Sequence, residues 1–149
     1  MNPEAQPTIL IVEDDASDAF LLRRVLARTN LPYQLRFVSD GQNALNYLEG
    51  AAPYADRQTF PFPGLVLLDL RLPVLDGFDV LRRLADNPRF AHLPVVVVSG
   101  SVSEKDRALA RNLGAKGYYF KSGDARDAAN MFEELGRQWL EPIRLLASA

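Results

Sequence analysis

Residues 64–77, GLVLLDLRLPVLDG, restrict the fold more than any other stretch. Leu65 to Leu68 are apolar at four successive positions, so a strand built from them must be covered on both faces, as in parallel α/β sheets. Asp69 stops that run, and Pro73 forbids further ladder hydrogen bonding. Sheets of this kind place their chemistry at the carboxyl ends of strands, which is where Asp69 stands. A helix cap or an ordinary loop carboxylate is the bland alternative for this residue.

The rest of the chain supplies company for it. Thr8 to Val12 is a second short apolar run, ending in Glu13, Asp14 and Asp15. Ser17 or Asp15 can cap a helix whose Ala19, Leu22, Val25 and Leu26 recur at helical spacing, with Arg23, Arg24 and Arg28 toward water and Pro32 ending it. Tyr33 to Val38 alternates, which predicts a half-exposed edge strand. Ala44, Leu45 and Leu48 mark the next helix, and residues 50–64 carry three prolines and no periodicity, a long loop of the kind that tends to be functional. Asp76 and Gly77 turn into a short helix through Phe78, Leu81, Leu84 and Ala85, ended by Asn87 and Pro88. Val95 to Val98 is another strand buried on two faces, stopped by Ser99 and Gly100. Ser103 with Asp106 is a variant capping box that opens a helix through Leu109 and Leu113 to Gly114. Tyr118 to Phe120 forms a fifth strand, stopped by Lys121, Ser122 and Gly123. From about Asp124 the last helix carries Ala128, Met131, Phe132, Leu135 and Trp139 on one stripe, and Pro142 breaks or kinks it.

Five strand-then-helix units predict an α/β fold, a doubly wound parallel sheet with helices on both faces. The alternating second strand belongs at an edge, which gives the flavodoxin-like order 2-1-3-4-5. At 149 residues, 48% hydrophobic, the chain suits one domain over residues 8–141, with a loose arm at 1–7 and a tail at 142–149. A net charge of −2 without a basic run argues against nucleic acid. Zero cysteines exclude disulfides and zinc–thiolate sites, and no stretch approaches the roughly 20 apolar residues of a membrane span, so a cytoplasmic protein is expected.

In the expected strand order, Glu13, Asp14 and Asp69 meet at the switch point, where three carboxylates repel unless a proton or a cation joins them. The ligands offered are hard oxygens, which favours Mg²⁺ over Zn²⁺ or copper. Ser99 brings a hydroxyl and Lys121 an ammonium from the ends of the fourth and fifth strands. An acidic metal pocket with a lysine and a hydroxyl suits a carboxylate that accepts a phosphoryl group, with Asp69 as nucleophile. The single histidine, His92, is expected in a surface loop without a role.

The acid pair in ILIVEDD, the aspartate in LVLLDLRLPVLDG, the hydroxyl in VVVVSGS and the lysine in GYYFKSG make the chain, over residues 8 to 140, resemble the receiver domains of two-component response regulators, the CheY-like family. The resemblance implies that Asp69 takes phosphate from a phosphohistidine of a sensor kinase. It also implies that Asp14, Asp69 and the main-chain carbonyl of Arg71 bind Mg²⁺, with Mn²⁺ as a substitute, while Glu13 holds a coordinated water. By the same resemblance, Lys121 is expected to contact the phosphoryl group, and Ser99 and Tyr118 to form the switch pair. Such a protein catalyses only its own phosphorylation and a slow self-dephosphorylation.

Ser122 stands where the family usually has a proline in a cis bond. The KS pair, the proline-rich loop and the Trp-containing tail resemble stand-alone regulators paired with bacterial and cyanobacterial phytochromes. Two other classes fit less well: an aspartate-based phosphatase requires a second aspartate where Arg71 stands, and a pseudo-receiver binding module would lack an acid, the hydroxyl or the lysine. A flavodoxin-type nucleotide site would need a phosphate-cradling first loop, which here is acidic. The final stripe, followed by Ile143, Leu145 and Leu146, is expected to exceed the needs of one core and to support a homodimer around the last strand and helix.

Overall fold

Five strands, β1 (Thr8–Val12), β2 (Gln34–Val38), β3 (Leu65–Leu68), β4 (Val95–Ser99) and β5 (Gly117–Phe120), alternate with helices α1 (Ala16–Thr29), α2 (Gly41–Glu49), α3 (Gly77–Ala85), α4 (Glu104–Asn112) and α5 (Ala125–Leu135). They are seen in a computed structural model that describes residues 6–142. Most of the expected arm, and Ile143, Leu145 and Leu146 of the expected tail, lie outside the described residues. Every strand pairing is parallel, in the order β2-β1-β3-β4-β5, with β1 and β3 adjacent at the switch point.

The unbroken apolar strands feed two separate layers because successive side chains point to opposite faces. Leu10, Val12, Val66, Leu68, Val95 and Val97 pack with α2, α3 and Ala110 of α4. Ile9, Ile11, Leu65, Leu67, Val96 and Val98 pack with Leu22, Val25 and Leu26 of α1 and with Met131, Phe132 and Leu135 of α5. Helices therefore cover both faces, as the patterning predicts.

Several local expectations change. Of the two expected caps Asp15 is the one used for α1, but Asn30 in the left-handed region (φ 58°) closes that helix before Pro32 is reached. β5 is half-exposed, since it forms the second edge of the sheet. The variant capping box is only half made: Ser103 Oγ accepts from the Asp106 N–H at 3.3 Å, but the Asp106 carboxylate takes the Ser101 hydroxyl at 2.7 Å. The loop at 50–64 is ordered around an aromatic cluster of Tyr47, Tyr54 and Phe60, with centroids 5.1–6.0 Å apart. Arg57 binds that loop to α2 by donating to the carbonyls of Tyr47 (2.8 Å) and Leu48 (2.9 Å), two of the last acceptors of the helix.

The last helix runs into Pro142, where the described residues end. A π-helical turn, Gly136–Leu140, lies one turn upstream, and residues 141 and 142 are again helical. The Glu141 N–H reaches the Gly136 carbonyl, and the prolyl nitrogen that follows has no hydrogen to give. Three residues of the apolar stripe are absorbed by the chain's own core: Phe132 and Leu135 are at most 1% exposed and Met131 is buried, and Leu140 joins them. That much of the stripe needs no second copy to cover it, while Ala128 and Trp139 are only partly buried.

Candidate phosphoacceptor and metal site

β3 delivers Asp69 to the rim of the sheet, where its N–H still donates to the Val12 carbonyl at 3.1 Å, and the side chain is buried. The next turn is held tightly: the Gly77 N–H donates to the Leu70 carbonyl at 2.9 Å. A Cβ on Gly77 would overlap the Asp69 carbonyl oxygen and stand 2.7 Å from Leu70 Cα, so only glycine lets α3 approach this closely. Asp76 caps α3 by accepting the Asp79 N–H at 2.9 Å.

Glu13, Asp14 and Asp69 each offer a carboxylate oxygen within 4.8 Å of the others. Glu13 and Asp69 are buried while Asp14 is exposed. Lys121 lies at the centre of the cluster, with Nζ 2.5 Å from Glu13 Oε1 and 3.0 Å from both Asp69 Oδ2 and Asp18 Oδ2. Asp18 is a residue that sequence reasoning missed. It stands in the first turn of α1, where an acid has a sufficient local reason in the helix dipole, and its partner is 103 residues away. The Lys121–Ser122 peptide is not cis, and Lys121 still reaches all three acids, so the absent proline leaves this contact intact.

Burial pushes the Glu13 carboxyl up from 4.5 to about 7, against the opposing pull of Lys121 and the Asp15 N–H and with the help of the Asp69 charge. Burial alone would lower Lys121, but its hydrogen bonds to Glu13, Asp18 and Asp69 prevail and hold the ammonium above the usual lysine range. The lysine is therefore a fixed cation, and the acids remain in excess of it.

Arg71 is exposed; its N–H lies 3.4 Å from Asp69 Oδ1. Ser99 is buried at the end of β4 and shares no hydrogen bond with Asp69 among the described residues; its hydroxyl accepts the Ser101 N–H at 3.1 Å. Tyr118 pairs with Val97 across β4 and β5, and its hydroxyl donates to the Ser101 carbonyl at 2.9 Å. Arg107 of α4 lies over the Tyr118 ring, 5.1 Å from its centroid. The predicted residues thus gather at one end of the sheet. They divide into an ionic group around Lys121 and a hydroxyl group around Ser101.

A family model for the response regulator receiver domain matches residues 9–133. The chain belongs to that family. Among its relatives, this receiver domain is 34% identical over 150 residues to the response regulator Rcp1 of Synechocystis sp., covering 99% of this chain and 100% of that one. A Mn²⁺-bound form of Rcp1 superposes with a TM-score of 0.75, at 33% identity over 87% of this chain and 91% of that chain. The response regulator RPA3017 in red light signaling of R. palustris gives a TM-score of 0.84 at 38% identity, covering 90% and 94% of the two chains. The phosphorylated cyanobacterial phytochrome response regulator RcpA gives 0.80 at 33% identity, covering 91% and 95%.

The donor set of the receiver domain fits a divalent cation: three hard carboxylates converge, and one of them is driven toward protonation by its surroundings. A sign follows for stability. Because the folded protein holds a proton on Glu13 more tightly than the unfolded chain, metal-free stability should fall as pH rises from 4.5 to about 7. The expected loss is on the order of 1–3 kcal/mol. Adding Mg²⁺ should therefore raise the melting temperature more at pH 8 than at pH 5, since binding requires the deprotonated carboxylate. Equal Mg²⁺ stabilisation at both values would contradict this assignment of Glu13.

Proposed function

We propose that this receiver domain accepts a phosphoryl group on Asp69 from a phosphohistidine of a sensor kinase, and signals by altering its own protein-binding surface. The observation that carries the reading is the buried Asp69 carboxylate, hydrogen-bonded to Lys121 within a cluster that has acid in excess. The phosphorus–nitrogen bond of the donor breaks as a phosphorus–oxygen bond forms at Asp69, and the imidazole departs with the bonding pair. Lys121 Nζ, already 3.0 Å from Oδ2, is placed to pair with the charge that arrives on the transferring oxygens. Asp14, Asp69 and the Arg71 carbonyl would hold a divalent cation, with Glu13 acting through a water, and that ion would offset further charge on the same oxygens. Ser99 would take a phosphoryl oxygen by its hydroxyl hydrogen, and Tyr118 would move with it.

A groove of 320 Å³ between α1 and α5, lined in part by Leu22, Phe120 and Met131, reaches Asp18 and Lys121 at the edge of the ionic cluster and would suit the approach of a donor protein. The relatives named for phytochrome and red-light signalling support a phytochrome as that donor. No helix among the described residues is long and apolar enough to cross a membrane, which agrees with a cytoplasmic meeting of the two. Association of two copies remains part of the reading, supported by partly exposed Trp139 and by exposed Phe120 at the β5 edge. Incubation with radiolabelled kinase should transfer label to this protein in Mg²⁺ and leave it unlabelled in chelator. Transfer undiminished by chelator, or none from any histidine kinase or small phosphodonor, would remove the reading.

A further inference from the structure

Ser101 holds four hydrogen bonds to which no expectation from the sequence pointed. Its N–H donates to Ser99 Oγ at 3.1 Å, and its carbonyl accepts the Tyr118 hydroxyl at 2.9 Å. Its own hydroxyl donates to Asp106 Oδ2 at 2.7 Å and accepts the Ser103 N–H at 3.2 Å. Asp106 stands in the first turn of α4, and the residue after it, Arg107, covers the Tyr118 ring.

We propose that Ser101 is a positioning residue that makes Tyr118 and α4 answer together when Ser99 engages a phosphoryl oxygen. The proposal rests on the phosphoacceptor reading above. When the Ser99 side chain is drawn toward Asp69, the Ser101 amide follows, because staying behind would leave a part-buried N–H without an acceptor. That one displacement moves the acceptor of the Tyr118 hydroxyl and the donor to Asp106 at the same time. The backbone of Ser101 serves Tyr118, and its hydroxyl serves α4. Removing only the hydroxyl separates the two responses, leaving Tyr118 coupled to Ser99 while α4 no longer follows.

The experiment compares wild type, Ser101→Ala, Ser101→Thr and Asp106→Ala, with and without beryllofluoride and Mg²⁺, by amide exchange and chemical shifts. Thermal melts establish that each variant is folded. In wild type, beryllofluoride should change exchange in the first turn of α4 on the order of fivefold or more, the lower range of ordinary coupling. In Ser101→Ala and Asp106→Ala that ratio should fall below about twofold while shifts at Tyr118 persist. Ser101→Thr, which keeps the hydroxyl, should restore it. Combining Ser99→Ala with Ser101→Ala should affect α4 no more than Ser99→Ala alone, as expected of residues in series. A wild type that does not respond to beryllofluoride overturns the phosphoacceptor reading itself. A wild type that responds, beside a Ser101→Ala protein whose α4 responds equally, overturns the role of Ser101 alone.

Discussion

Asp69→Ala should reduce phosphoryl acceptance to background without unfolding the protein. No other carboxylate replaces it: Asp14 is exposed, Glu13 is partly protonated near neutral pH, and Asp18 lies on α1 beyond Lys121. The ammonium keeps Glu13 and Asp18 as partners, so the substitution leaves no buried charge alone. Loss of the Asp69 charge also withdraws one of the influences that raise the Glu13 carboxyl, so metal-free stability at neutral pH should be equal to or above that of wild type. Acid-labile radiolabel measured beside thermal melts checks both parts. Label retained at wild-type levels would refute the acceptor assignment, and a markedly lower melting temperature would refute the account of crowded charge.

Gly77→Ala should have the largest effect on stability. The added carbon meets main-chain atoms on the strand side, the Asp69 carbonyl oxygen and Leu70 Cα, and neither can move away by changing rotamer. Either α3 retreats from the sheet or the Asp69–Leu70 peptide turns, and both break the bond from the Gly77 N–H to the Leu70 carbonyl. A cost of about 3 kcal/mol or more is expected, equivalent to roughly 6–12 °C in melting temperature for a chain of this size. Mg²⁺ affinity should fall along with it, because the displaced peptide belongs to Asp69. A variant that melts within a degree or two of wild type would mean that the turn is softer than its contacts imply.

The sheet order and the two-sided helix cover were legible because the signal is redundant: Leu10 and Ile11, or Val97 and Val98, are both apolar and serve different layers. The positions of Glu13, Asp69, Ser99 and Lys121 followed from strand ends, which apolar runs mark sharply. Asp18 was not legible, since its contact with Lys121 depends on how α1 seats against the end of β5. Arg57 was hidden in a stretch without periodicity, where Tyr54 and Phe60 read as interruptions although they pack on Tyr47. Ser101 gave no pattern, because three of its four bonds use main-chain atoms of its own or of a neighbour. The π turn after α5 was hidden for a different reason. Side-chain spacing cannot foretell a π turn, and that extra residue per turn is what accompanies Leu140 into the core.

The alternation of side chains along the strands also sets the two groups of the site on opposite faces of the sheet. Glu13, Asp69 and Lys121 share the parity of Ile11, Leu67 and Tyr119, which point to the α1 and α5 layer. Ser99 and Tyr118 share the parity of Val97 and belong with α3 and α4. The ionic cluster thus lies on one face of the sheet and the hydroxyl group around Ser101 on the other, with the strands between them. A partner that grips α1 and α5 would meet the ionic cluster itself, whereas one that reads α4 would depend on the hydroxyl group around Ser101.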